Sequence, residues 1–331
     1  MRKKYGVIAI SLALAVGLGI SGCSTPSPAS SGGSGAGGNA PKSKLLGIVS
    51  ITANEAGNAL AIRGATAAAK KAGWTVEVVD AQGDAAKANA AMSTFAGKKA
   101  GMIFNLVFPA TSLATGLAAA KSAGIPVASW GGGPGNGVVM WTGNGGPYAT
   151  QSATAMAKDM NGKGSVLALN YHGGQVCIDR EKAFDQVLTK YPNISVRKEE
   201  VGIPGFLQDA SKFTTAWLSS HPAGSGNLAV WGCWDDPTLG AVSAIRQLGR
   251  TDVKTYGNAG SITGINAVKD GQMTATAYEE GYKEGEAMFT TTLQAIEAGS
   301  SWKPKNVPVP GTLVTKDNVD EFLTSHADVL K

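Results

Sequence analysis

Histidine and cysteine are scarce in this chain of 331 residues, with three of each. His172, His221 and His326 are scattered, and neither an HExxH nor a CxxC spacing occurs, so the usual zinc patterns are missing. No G-x-S-x-G turn presents a serine, and no histidine has a clear nucleophile partner. Without an acid–base or nucleophile constellation, an exported enzyme on an α/β scaffold is disfavoured, and no cofactor or metal is implied. Charge is also sparse, at 16% of residues, with no basic run or basic helix face. The formal charge of +5 falls to about +2 once Arg2, Lys3 and Lys4 are removed with a leader, leaving 26 bases against 24 acids. Such a balance gives no electrostatic case for nucleic acid. The apolar run Val7–Ile20, about 14 residues, is short of the roughly 20 that a spanning helix needs.

What the N-terminus does have is a positive start, that short apolar stretch, and Ile20-Ser21-Gly22-Cys23. The pattern is that of an export signal, and its last four residues resemble a bacterial lipobox. The resemblance implies that residues 1–22 are removed and that the Cys23 thiol carries a diacylglycerol anchor. The Gly17-x-Gly19-x-x-Gly22 spacing matches a dinucleotide fingerprint, but it follows no strand and falls inside the signal. Ser24 to Pro41 is nearly all Ser, Gly, Pro and Ala, which cannot bury apolar surface and predicts a flexible tether over 23–43. The expectation is a folded body outside the cytoplasm, held to the membrane by its lipid.

About 290 residues remain for that body, enough for two domains with real cores at 43% hydrophobic content. From Lys44 the pattern alternates. The continuous apolar run Leu45–Ile51 reads as a parallel strand buried on both faces. An Ala- and Lys-rich helix follows from Asn58, stopped at Gly73. Strands are predicted at 75–80, 101–105, 125–129 and 138–142, with helices at 85–96 and 111–123 between them. The rhythm restarts with a helix at 148–160 and strands at 165–170, 194–201, 228–232, 253–257 and 273–278. The helices of this second series are predicted at 180–191, 208–220, 236–248 and 262–270. A long helix at 280–298, two short extended pieces and a final helix from Asp317 close the chain. Two consecutive βαβ series predict an α/β fold of two doubly wound parallel-sheet lobes, with a ligand cleft at the carboxyl ends of their strands.

Several stretches, in order, resemble the type I periplasmic substrate-binding proteins of ABC transporters, the ribose- and galactose-binding group. They are Gly47-Ile48-Val49-Ser50 followed by Ile62-Arg63-Gly64-Ala65, then Asp80-Ala81-Gln82-Gly83-Asp84 with Lys87, and Gly124-Ile125-Pro126-Val127. Arg180-Glu181-Lys182-Ala183-Phe184 and Trp234-Asp235-Asp236-Pro237-Thr238-Leu239-Gly240-Ala241 follow. The similarity covers about Lys44 to Val314. It implies a three-crossover hinge, with crossings near Asn144, Tyr278 and Val309. One lobe then comprises residues 44–144 and 279–309, the other 145–278 and 310–331.

The same resemblance implies ligand positions at Asn54, Glu55 and Asn58 in the loop after the first strand, at Asn105, and at Arg180, Asp235, Asn258 and Glu279. The chain departs from the family pattern in several places: the aromatic pair after the first strand is absent, Asn258 or Ala259 replaces an Asp, the clamping Arg aligns near Ile178, and two indoles enter. Trp130 replaces a polar group after the fourth strand, and Trp234 replaces an Asn. Indoles suit the C–H face of a sugar ring, a cyclitol or a heteroaromatic, and they also hold cations. Trp141 and Trp231 read as core instead. The glycine run from Gly131 to Gly137 reads as a flexible connection at the cleft rim.

The remaining cysteines, Cys177 and Cys233, are an even pair in an oxidising compartment, to be read as a disulfide or as two buried thiols. They follow the first and third strands of the second lobe, which are neighbours in a 2-1-3-4-5 sheet. That placement predicts a disulfide pinning the loop Tyr171–Asp179 beside Trp234. The expected role is to capture a small polar solute, a sugar, polyol or related ring compound, as a monomer that delivers it to ABC permease subunits. The rival reading is a ligand-sensing module of the same fold coupled to a membrane sensor. A transcriptional regulator of this fold is excluded by the export signal and by the lack of a helix-turn-helix headpiece before Lys44.

Overall fold

Two runs of alternating strand and helix build two separate six-stranded sheets in a computed structural model that describes residues 40–327 apart from Lys42 and Asn144. The leader, Cys23 and nearly all of the tether therefore lie outside the described residues. The first run comprises β1 (Leu45–Ser50), α1 (Ala56–Lys71), β2 (Thr75–Asp80), α2 (Ala85–Gly97), β3 (Met102–Leu106), α3 (Ala114–Ser122), β4 (Val127–Trp130) and β5 (Val138–Thr142). The second comprises α4 (Gly145–Asp159), β6 (Lys163–Asn170), α5 (Gln175–Leu188), β7 (Asn193–Glu200), α6 (Phe206–Ser219), β8 (Leu228–Gly232), α7 (Asp235–Gln247), β9 (Val253–Ala259), α8 (Ile262–Lys269) and β10 (Ala275–Tyr278). The chain ends with α9 (Gly281–Ala298), β11 (Lys305–Asn306), β12 (Thr312–Thr315) and α10 (Val319–Ser325).

The first sheet runs β2-β1-β3-β4-β5-β11 and the second β7-β6-β8-β9-β10-β12. Every pairing is parallel except β10 with β12. Both sheets thus use the 2-1-3-4-5 order, each closed by a short strand from the end of the chain. β3, β4 and β8 are buried along their whole length, as parallel strands covered on both faces are, although Asn105 and Ser129 interrupt the apolar sequence of the first two. The chain passes from one sheet to the other between Thr142 and Gly145, at Glu279–Glu280, and between Asn306 and Thr312. Among the described residues no helix is long and apolar enough to cross a membrane.

Three of the boundaries that differ from the sequence expectation bear on the cleft. Helix α5 begins at Gln175, five residues before Arg180, so Cys177 lies in a helical turn and not in a loop. Its N-cap is Gly174 with no side-chain bond, which left no capping signal to read. Helix α4 begins at Gly145, where Pro147 is tolerated in the first turn. Strand β9 continues to Ala259, which carries Asn258 into the sheet.

Helix α9 returns to the first lobe and packs along α1. The approach is close enough that a Cβ on Gly285 would collide with the Ala61 carbonyl, and one on Gly64 with the Tyr282 carbonyl. Phe289 also sets its ring edge against Trp74 at 5.4 Å. Replacing Gly285 with valine overfills this seam, at a cost of about 1–3 kcal/mol. A lowered melting temperature with unchanged secondary structure is the expected result of G285V in a calorimetric scan.

Candidate functional site

The cleft opens where the carboxyl ends of the two sheets face each other, and it leaves about 40 Å3 for the centre of a water-sized sphere. From the first lobe, Thr52, Glu55 and Asn58 come from the β1–α1 turn, Val107 follows β3 and Trp130 ends β4. From the second lobe, Tyr171 follows β6, Val176, Cys177 and Arg180 lie on α5, and Trp234 follows β8.

Each wall is held by local chemistry. Glu55 is the N-cap of α1, and its two carboxylate oxygens accept the Gly57 and Asn58 N–H groups at 3.1 and 2.9 Å. Asn58 is buried and donates to the Thr52 carbonyl at 2.6 Å. Trp234 packs edge-on against Tyr171 and Phe206, with ring centroids 6.1 and 5.6 Å away. Trp130 is fixed differently, its indole N–H donating to Glu284 Oε2 at 2.6 Å.

Arg180 is only 2% exposed. Its Nη1 donates to the Cys233 carbonyl at 2.7 Å and its Nη2 to Glu279 Oε2 at 2.8 Å. A disulfide joins Cys177 to Cys233, with Cα atoms 5.4 Å apart, so the first turn of α5 is tied twice to the β8–α7 turn. Val107 carries a left-handed φ of +77°, strained for a β-branched residue. Its N–H donates to the Trp130 carbonyl at 2.8 Å, and its own carbonyl accepts the Gln175 N–H across the cleft at 2.9 Å.

Five of the residues expected from the sequence line the cavity: Glu55, Asn58, Trp130, Arg180 and Trp234. Two more lie behind the lining. Asn105 donates to the Phe108 carbonyl at 2.8 Å, and Glu279 pairs with Arg180. Three are placed elsewhere. Asn54 is exposed outside the lining. Asp235 is buried inside the second lobe, where its oxygens accept the Ser261 N–H at 2.5 Å and the Thr276 hydroxyl at 2.6 Å. Asn258 bonds Ser152 Oγ at 2.9 Å and the Gly232 carbonyl at 2.8 Å, locking α4 to β8 and β9. Trp231 is core, against Phe184 at 4.6 Å, whereas Trp141 is half-buried.

Sequence reasoning passed over Tyr171, Val107 and Asn170. The signal for Asn170 was available: it is a polar residue ending the apolar run Val166–Leu169, much as Asn105 follows Met102–Phe104 near the end of β3. Both its side-chain polar atoms, together with Asn105 Oδ1, Arg180 Nε and Glu279 Oε1, are buried without a partner among the described residues. Polar atoms in that condition are costly unless a partner reaches them. This group contains both donors and acceptors, the requirement for recognising hydroxyls, which do both. Among the described residues no cluster of three or more His, Cys, Asp or Glu is placed to hold a metal ion.

Carboxylates set the electrostatics. Burial pushes Glu279 up to about 7, while the Arg180 guanidinium pulls it down. Asp236, at the start of α7, is raised to about 6 by burial and by the charge of Glu55 on the other lobe.

Residues 46–300 match the model of a family described as "Periplasmic binding protein domain". A xylitol-binding protein of Mycolicibacterium smegmatis is 36% identical over 172 residues, which is 51% of this chain and 48% of that one. The matched region thus spans about half the length of that relative. An ABC transporter solute-binding protein from Agrobacterium vitis, solved with bound allitol, superposes with a TM-score of 0.79 at 26% identity, covering 86% of this chain and 100% of the other. An ABC sugar transporter subunit from Rhodobacter sphaeroides gives a TM-score of 0.76 at 27% identity, over 83% and 99% of the two chains.

The Asp236–Glu55 juxtaposition has a pH consequence. A carboxyl raised in the folded state gives stability that is complete below its unfolded value and is lost as pH rises through about 6. With an unfolded value near 3.8, the ligand-free protein is therefore expected to lose melting temperature from about pH 4 to pH 6 through this group. Asp236→Asn should flatten that part of the profile, and an unchanged profile would contradict the assignment.

Proposed function

The chain belongs to the periplasmic binding protein domain family, and we propose that it is the solute-capturing component of an ABC importer whose ligand is a small polyol. Members of this family bind and do not catalyse, so the cleft's task is recognition followed by closure. The observation that carries the polyol reading is the pairing of two indole walls with buried donors and acceptors that have no partner among the described residues. Trp130 and Trp234 offer apolar faces to the carbon chain. Arg180 Nε, Asn105 Oδ1, Asn170 and Glu279 Oε1 offer hydrogen bonds to hydroxyls spaced along it. The xylitol-binding relative and the allitol-bound structure support a linear sugar alcohol over a pyranose.

Cys23 is the proposed site of the lipid anchor, with Ser24–Ser43 as the tether that lets a monomeric body reach permease subunits from the outer face of the membrane. Ligand binding holds the two lobes together, and the closed pair of lobes is the surface offered to the permease, a hinge motion about the three crossovers.

A thermal-shift screen of xylitol, other pentitols and hexitols, myo-inositol, aldoses, nucleosides and quaternary amines tests the reading. A ligand present at 100 times its dissociation constant adds about 2.7 kcal/mol, a shift of several degrees. Stabilisation by a polyol is the expected result. Trp234→Ala should weaken that polyol at least about tenfold, since aromatic anchors dominate small contact surfaces. Stabilisation by nucleosides or amines alone would refute the polyol assignment.

A further inference from the structure

Glu284 lies in the first turn of α9 and is fully buried. It reaches groups from all parts of the hinge. Its Oε2 accepts the Trp130 indole N–H at 2.6 Å, and the Gly143 N–H, in the first crossover, also bonds the carboxyl. Its Oε1 lies 3.0 Å from the Tyr148 hydroxyl on α4. That same hydroxyl lies 2.7 Å from the carbonyl oxygen of Val309, in the third crossover.

Tyr148 has a single hydroxyl proton to share between two neighbours. If Glu284 were a carboxylate, both neighbours would be acceptors, and one of the two contacts would set oxygen against oxygen with no proton between them. If Oε1 carries a proton, every group is satisfied: Glu284 donates to Tyr148, and Tyr148 donates to Val309. The indole and the Gly143 N–H remain as donors to the acid. We propose that Glu284 is a neutral carboxylic acid whose hydrogen-bond relay gathers the crossovers and sets the edge of Trp130, making it a positioning residue for solute capture.

The surrounding charges agree. Glu279, at the second crossover, raises the Glu284 carboxyl, and burial raises it further. Tyr278 at the end of β10 and Tyr148 on α4 are themselves raised by burial and by these glutamates. Arg180, whose charge acts on Tyr148, is already bonded to Glu279. The N-terminus of α9 favours negative charge, but a helix end is a weaker influence than burial without a cation.

The role as a positioning residue rests on the solute-binding reading, whereas the protonation state does not. The infrared difference spectrum of the full chain in D2O, wild type minus Glu284→Gln, is therefore recorded without ligand. At about pH 8 Asp235 and Glu279, each raised to about 7, are largely ionised. The expected difference is loss of a protonated-acid carbonyl band. Glutamine reproduces the relay, its amide donating to Tyr148, so E284Q should melt close to wild type and bind xylitol, or the polyol that stabilises best, within about threefold. Glu284→Ala, which strands the indole N–H, should weaken that polyol about tenfold with secondary structure retained. Loss of a carboxylate band in the difference spectrum, or E284Q melting as low as E284A, would overturn the assignment. If no polyol binds wild type, the polyol reading fails while the spectrum and the melting comparison still decide the protonation state. Equal polyol affinity in E284A and wild type would leave a neutral acid with no positioning role and would overturn that half.

Discussion

The cleft depends on where the Arg180 guanidinium is held. The group is buried, and its two bonded nitrogens reach the Cys233 carbonyl and the Glu279 carboxylate. One side chain therefore connects α5, the β8–α7 turn and the second crossover. A buried pair of this kind adds little net stability, because desolvation offsets the attraction. Removing one partner instead costs about 3–5 kcal/mol, since the other charge is left uncompensated. The pair is better understood as fixing geometry. It leaves Nε of Arg180, a residue lining the cavity, without a partner among the described residues. The disulfide one helical turn earlier removes the remaining freedom of the same helix end.

Around that centre the hinge is built from neutral and charged carboxyls with separate tasks. Glu279 faces the cleft through Arg180. Glu280 turns away and accepts from Lys283 at 2.9 Å, with His326 at 3.3 Å. Glu284 holds Trp130 and Tyr148. The crossovers are thus tied to walls of the cavity. The inter-lobe bond from Gln175 to the strained Val107 adds a backbone link at the mouth of the cleft. Cleft chemistry and lobe closure therefore share the same residues.

Much of the architecture was legible because parallel strands announce themselves as unbroken apolar runs. The run Leu45–Ile51 predicted β1, and the repeated alternation gave two sheets of the same order. The end of β4 at Trp130 and the turn at Trp234 were legible as departures from a polar pattern, and both residues line the cavity. Local signals failed where tertiary partners decide. Asp235 looks like a cleft carboxylate from its neighbours, yet Ser261 and Thr276 claim its oxygens inside the lobe. Asn258 is taken in the same way by Ser152. Glu284 carries no signal of its own within the predicted helix at 280–298, and only the folded hinge shows that it is enclosed. Helix α5 was read short because a glycine N-cap leaves no side-chain mark in the sequence.

The central claim is that a polyol draws the lobes together across this cleft. Small-angle scattering of the body from Lys44 onward, with and without saturating xylitol or the polyol that stabilises it best, tests this directly. The account predicts a smaller radius of gyration with polyol and no change with an equal concentration of a solute that does not stabilise the fold. An unchanged radius in the presence of a polyol that binds would contradict it.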